Sequence, residues 1–199
     1  MALKKLPTYK LNISMDGESG VDFVALVDNP AIDGIGFGSG LFFAFAKEVE
    51  KQYNFKATSL EKQIVSGPLM IPDAPIYRND SHGEYMVEFS ADSIYNIVKK
   101  FFKNQNTSNV NRMHQATDKV GDVYMIESFL IDRSRMAPPV GFEELPDGSW
   151  FGSYKVDNTD VWNQIKEGKF KGFSIEGMFI PESMSDEQLM AEIESQIIQ

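Results

Sequence analysis

The chain has 199 residues, the size of one compact domain with tails, and its 42% hydrophobic and 12% aromatic content suffices for a core, which excludes global disorder. The 19 basic and 29 acidic residues give a net charge of −10, so phosphate backbones and anionic lipid are repelled and neither nucleic acid nor membrane is an expected partner. Zero cysteine excludes disulfide frameworks, thiolate metal sites, iron–sulfur clusters and cysteine nucleophiles together, and makes an intracellular setting the simplest reading.

The opening MALKKLPTYKLNIS has no apolar run of signal-peptide length before Pro7, and its alternation from Tyr9 to Ile13 predicts a strand. Residues 21–27, VDFVALV, form a β-branched apolar run stopped by Asp28, Asn29 and Pro30, as a buried strand ending in a turn would be. Residues 34–46 interleave glycines and phenylalanines, which suits either an arm whose rings dock elsewhere or a loop over the core; a short helix or a linker follows to Phe55. This stretch is the longest apolar one and falls short of the ~20 residues of a membrane helix, so a soluble protein is expected.

Residues 61–71, EKQIVSGPLMI, read as a strand interrupted at Gly67-Pro68 by a bulge or an edge. After a loop at RNDSHGE, the run YMVEF is a further strand. Ser90 then caps a helix, ADSIYNIVKKFFK, in which Ile94, Ile97, Val98, Phe101 and Phe102 share a face and lysines close the last turn. DVYMIESFLID is a long strand, and WFGSYKV another after a proline- and glycine-rich loop. Asn158 or Thr159 caps a short helix ending at Gly168, whose lack of a side chain suits a left-handed cap. KGFSIEGMFI is the last strand, and 182–199 is an acidic amphipathic tail. The expected fold is α+β, a mostly antiparallel, small barrel-like sheet with a few flanking helices and no Rossmann alternation. The expected organisation is residues 1–59 as N-terminal strands, arm and linker completing the core, 60–181 as the core domain, and 182–199 as the tail.

Few residues are candidates for chemistry. No HExxH, DxDxDG or P-loop spacing occurs, so neither a metal nor a nucleotide is expected. His82 sits in a polar turn and reads as an exposed loop histidine. His114 stands at the rim of the core, before a nearly continuous apolar strand, where it is structural or catalytic. Ser174 lies inside an apolar strand between Phe173 and Ile175, and its hydroxyl needs a partner there; Gly172 and Gly177 would let another backbone, such as a substrate strand, approach, though a satisfied core serine has the same letters. Glu127, in VYMIESFLI, falls among apolar residues on both strand faces, so it is expected to be paired, either with a histidine or with a cation such as Arg133 or Lys155. Glu176 shares the strand face of Ser174 and is another acid.

Taken in order, GPLMIPDAPIYR (67–78), HGEYMVEFS (82–90), NRMHQ (111–115), DVYMIESFLID (122–132), DGSWFGSYKVDNTDVWNQIKEG (147–168) and KGFSIEGMF (171–179) resemble the XkdF-type phage serine protease family across about residues 60–180. That family is similar to the prohead proteases of tailed phages, which share a fold with the herpesvirus assemblins and cleave scaffold and capsid precursors inside the immature shell. The resemblance implies Ser174 as nucleophile, His114 as general base, an assemblin-like fold and no cofactor. It also implies a location inside the immature prohead in the host cytoplasm, with phage scaffold and major capsid precursors as partners and a homodimer as a further state. In prohead proteases a segment similar to VALVDNPA follows the serine strand and carries the acid; here VDFVALVDNPAI stands at 21–32, ahead of the histidine, which suggests a permuted chain order. Phe23 falls at the acid's place, so the third residue is ranked Glu127, then Asp22, then Glu176. The alternative is an inactive protease fold serving as a scaffold or internal virion protein, with 34–46 and 182–199 as docking elements.

Overall fold

A computed structural model describes residues 6–28, 54–80, 83–115 and 117–181. His82, the Phe/Gly arm and the acidic tail lie outside the described residues. The rest is dominated by strands. β1 (Thr8–Asn12), β6 (Gly83–Phe89), β5 (Ile76–Asp80) and β11 (Ile180–Pro181) form one sheet in the order β11-β1-β6-β5. β2 (Gly20–Val27), β7 (Val110–Arg112) and β10 (Gly172–Met178) form a second, in the order β10-β2-β7. β3 (Lys56–Ser59), β4 (Ile64–Met70), β9 (Trp150–Val156) and β8 (Val123–Leu130) form the third, in the order β3-β4-β9-β8. Pairing is antiparallel except for β1 with β6 and β2 with β7.

The expectation of a closed barrel is corrected. The three sheets are open, and β10 packs against β4 with no ladder between them. Pro68, within β4, has no N–H to offer a neighbour. The mixed, strand-rich α/β character is as expected, and the interruption foreseen in β4 is a register shift between Pro68 and Met70. RNDSHGE was expected as a loop, but Arg78, Asn79 and Asp80 belong to β5 and pair with β6 in a hairpin. Polar letters do not exclude a strand here, because the backbone ladder to β6 holds β5 at the edge of its sheet.

The helices formed where the capping residues placed them. In α1 (Ala91–Lys103) the Ser90 hydroxyl accepts from the Ser93 N–H at 3.1 Å, and in α2 (Thr159–Lys166) the Asn158 side chain accepts from Val161 N–H at 3.0 Å. Gly168, at φ 74°, follows α2 in the left-handed region. Ile94, Ile97 and Phe101 bury the apolar face of α1 against β2 and β9, with the Phe101 ring edge-on to Trp150 at 5.1 Å. Lys100, on the last turn, does not reach solvent. Its ammonium donates to the carbonyls of Ser14 (2.6 Å), Gly17 (2.5 Å) and Ser19 (2.5 Å), tying the β1–β2 connection to the helix.

β2 is the strand on which the site depends. Val21, Val24, Ala25, Leu26 and Val27 are each at most 2% exposed, and β2 holds β10 antiparallel on one side and β7 parallel on the other. Phe173 and Ile175 of β10 enter the main core, so Ser174 and Glu176 turn to the opposite face.

Candidate active site

The ladder puts three residues in one row across the second sheet: Ser174 is opposite Ala25, and Ala25 is opposite Asn111. Paired residues share a face, so Ser174, Asn111 and Glu176 stand on the same side, with only the methyl group of Ala25 between the serine and the asparagine. Ser174 is 4% exposed, Asn111 0% and Glu176 7%.

His114 comes to this face through a tight turn. β7 ends at Arg112, and the Gln115 N–H returns to the Arg112 carbonyl at 2.9 Å, closing a turn over Met113 (φ 49°) and His114 (φ 58°). Positive φ at both central residues marks the type I′ geometry, which favours Asn and Gly; a Met-His pair held there is a local strain. Three contacts enforce it. The Met113 N–H bonds the Leu26 carbonyl at 3.1 Å, Asp118 N–H the Gln115 carbonyl at 2.8 Å, and Arg112 forks onto the Asp118 carboxylate from Nε (2.8 Å) and Nη2 (2.5 Å).

The turn delivers the imidazole against Glu176, with His114 Nδ1 3.4 Å from Glu176 Oε2 and both side chains 9% exposed. The same carboxylate oxygen accepts from Asn111 Nδ2 at 2.8 Å. Burial pushes the Glu176 carboxyl up, but the imidazole and the amide together outweigh it and hold the group below its usual range. Neither ring nitrogen of His114 has a hydrogen bond of good geometry, and Asn111 Oδ1 is also buried without one. Among the described residues the Ser174 hydroxyl makes none either. Buried polar atoms of His114 and Asn111 without protein partners on this face mark it as the place to look for chemistry.

The other acids ranked from the sequence stand elsewhere. Glu127 is exposed on β8, in a different sheet, and accepts from the Ser153 hydroxyl at 2.6 Å. Ser153 in turn contacts Ser66 Oγ at 2.7 Å, which lies 3.0 Å from Thr58 Oγ1, so Glu127 ends a ladder of hydroxyls rather than orienting an imidazole. The inference that it is buried fails because β8 is an edge strand with Tyr124 and Ile126 also exposed. Asp22 is the extra residue where register shifts between β2 and the Glu176/Gly177 step of β10. Burial first, and the Glu176 charge second, raise its carboxyl above the usual value, against an opposing pull from Lys100. The third-ranked acid, Glu176, is therefore the one the fold brings to His114. Gly177 has a structural role: a Cβ there would lie 1.9 Å from the Gly20 carbonyl oxygen, so the close backbone it admits is β2 itself.

Asn111 was not singled out from the sequence. Its signal was present, since Asn is depleted in strands and here interrupts a buried one. A cavity of about 470 Å³ opens beside the turn, lined by Arg112, Met113 and Gln115 from it, Asp118, and Gln164 and Phe170 across the gap.

A buried serine, histidine and carboxylate on one sheet face are the constituents of a serine-nucleophile hydrolase site. Residues 46–181 match the family described as "Putative phage serine protease XkdF", and the chain belongs to that family. It is 26% identical over 162 residues to the phage-like element PBSX protein XkdF of Bacillus subtilis (strain 168), a match covering 79% of this chain. The chain spans about half, 52%, of that relative's length. No solved structure matches it.

Proposed function

We propose that the chain is a serine endopeptidase with Ser174 as nucleophile, His114 as general base and Glu176 as the acid that orients the base. The observation that carries this reading is the buried 3.4 Å approach of His114 Nδ1 to Glu176, two residues from Ser174 on the same face. With Nδ1–H directed at the carboxylate, Nε2 is the nitrogen that takes the Ser174 proton as the hydroxyl oxygen attacks the scissile carbonyl. The imidazolium is stabilised by Glu176, held ionised by the Asn111 amide and the adjacent imidazole, and returns its proton to the leaving amine. Water then hydrolyses the acyl-enzyme with the same base. The structure shows no hydrogen bond between Ser174 and His114, and the mechanism requires one to form in the substrate complex.

The substrates in this proposal are the phage scaffold and capsid precursor proteins, cut inside the immature shell, with a homodimer as the acting form. The family match supports the phage setting. Co-expression of wild type or Ser174→Ala with the neighbouring capsid and scaffold precursors, followed by intact-mass analysis, tests it. Truncated precursors with wild type alone are expected. Intact precursors in both overturn the reading in favour of a protease fold that serves assembly without turnover.

A further inference from the structure

We propose that Asn111 is a positioning residue of this site, which fixes the Glu176 carboxylate in the rotamer that faces His114. The inference rests on the hydrolase reading for its consequence, but on geometry for its substance. Asn111 is fully buried in the middle of β7, where a β-branched or aliphatic residue would serve packing better. Its amide is used in one way among the described residues: Nδ2 donates to Glu176 Oε2, the oxygen nearest His114, while Oδ1 has no partner. An asparagine selected for stability would have both ends satisfied. This one leaves an acceptor orphaned in order to place a donor, which is a local violation of the kind found at functional sites.

The register explains why the donor must come from this position. Asn111 sits across β2 from Ser174, and Glu176 lies one pleat further along β10, so an amide on β7 reaches the carboxylate diagonally over Ala25 and Phe23. His114, three residues after Asn111 in the same short segment, is thereby referenced to the same strand as its acid. A carboxylate set by three side-chain torsions would otherwise rotate off the ring, and the base would lose its tautomer.

The test uses the full chain with Asn111→Ala and Asn111→Ser, each checked for a native-like amide spectrum, and Glu176→Gln alone and combined with Asn111→Ala. Two quantities are read: the rate at which a fluorophosphonate labels Ser174, and the titration midpoint of the Glu176 carboxyl carbon by NMR. Asn111→Ala is expected to slow labelling about 10–100-fold, the usual scale for partners of a site residue, and to move the Glu176 midpoint up. In the Glu176→Gln background the same substitution is expected to add little, since the two act as one unit. A folded Asn111 variant with unchanged labelling, or an unchanged Glu176 midpoint, overturns the proposal. Wild type that labels no faster than Ser174→Ala overturns the hydrolase reading instead, and the Glu176 midpoint still decides whether Asn111 holds the carboxylate.

Discussion

Glu176 and Asp22 stand near one another, and the fold moves their acidities in opposite directions. Glu176 gains a histidine and an amide; Asp22 gains burial and a like-charged neighbour. The raised carboxyl of Asp22 has a sign that can be worked out. Its folded value exceeds its unfolded value, so it favours the folded state below the unfolded value and loses that contribution as pH rises through the folded one. At neutral pH the ionised group works against folding. Asp22→Asn is therefore expected to raise the melting temperature at pH 7, with the gain shrinking towards pH 3, and to leave Ser174 labelling intact; melting curves across that range check it. Substitution of the other two acids separates their roles. Glu176→Gln is expected to cut the fluorophosphonate labelling rate on the order of 10⁴-fold, as loss of the orienting acid does in serine proteases, while Glu127→Gln changes it less than about twofold. Equal losses in the two variants would remove Glu176 from the assignment.

At the scale of elements, the turn that carries His114 and the lysine that anchors the β1–β2 connection are both locally unfavourable features held by their surroundings. Met113 has φ 49° and is 40% exposed, so its side chain contributes little to offset the strain. Asn tolerates that region, and Met113→Asn is expected to stabilise the chain by about 1 kcal/mol, roughly 2–4 °C in melting temperature, with the position of His114 kept. Lys100→Met, by contrast, leaves three carbonyls without their donor and is expected to destabilise by about 3 kcal/mol or more in denaturant unfolding. These elements also show what the letters could and could not reveal. Ser90 and Asn158 announce their helices because a cap is a local bond between near neighbours, and VDFVALV announces a buried strand because every residue type agrees. Ser174 and His114 are less legible: their local letters suit a satisfied core serine and a structural histidine as well as a catalytic pair, and only the family resemblance singles them out. The choice among acids is not local: it depends on which strands are neighbours, and no period in the sequence says that β8 is an edge or that β7 and β10 share β2. Apolar letters on both sides of Glu127 point to burial, yet Tyr124, Ile126 and Glu127 of β8 are exposed.

For the molecule as a whole, the boundary of the family match and the boundary of the folded unit differ. The match begins at residue 46, whereas β1 and β2 lie before residue 28. β1 pairs with β6 and β11, and β2 is the middle strand of the sheet that carries the site. Without β2, β7 and β10 have no strand between them, and the row from Ser174 to Asn111 loses its centre. Burying Val21, Val24, Leu26 and Val27 is worth about 1.5–3 kcal/mol each, a sum that rivals the whole ~5–15 kcal/mol by which domains are stable. A fragment of residues 46–181 is accordingly expected to show no cooperative thermal unfolding and no Ser174 labelling, although it contains all of Asn111, His114, Ser174 and Glu176. The full chain is expected to show cooperative unfolding, and a fragment that melted cooperatively by calorimetry would mean that β10 and β7 can be held together by something other than β2. The early segment VDFVALV acts here as part of the active-site sheet, brought between its strands from far away in the chain, and the prediction asks whether that sheet can exist without it.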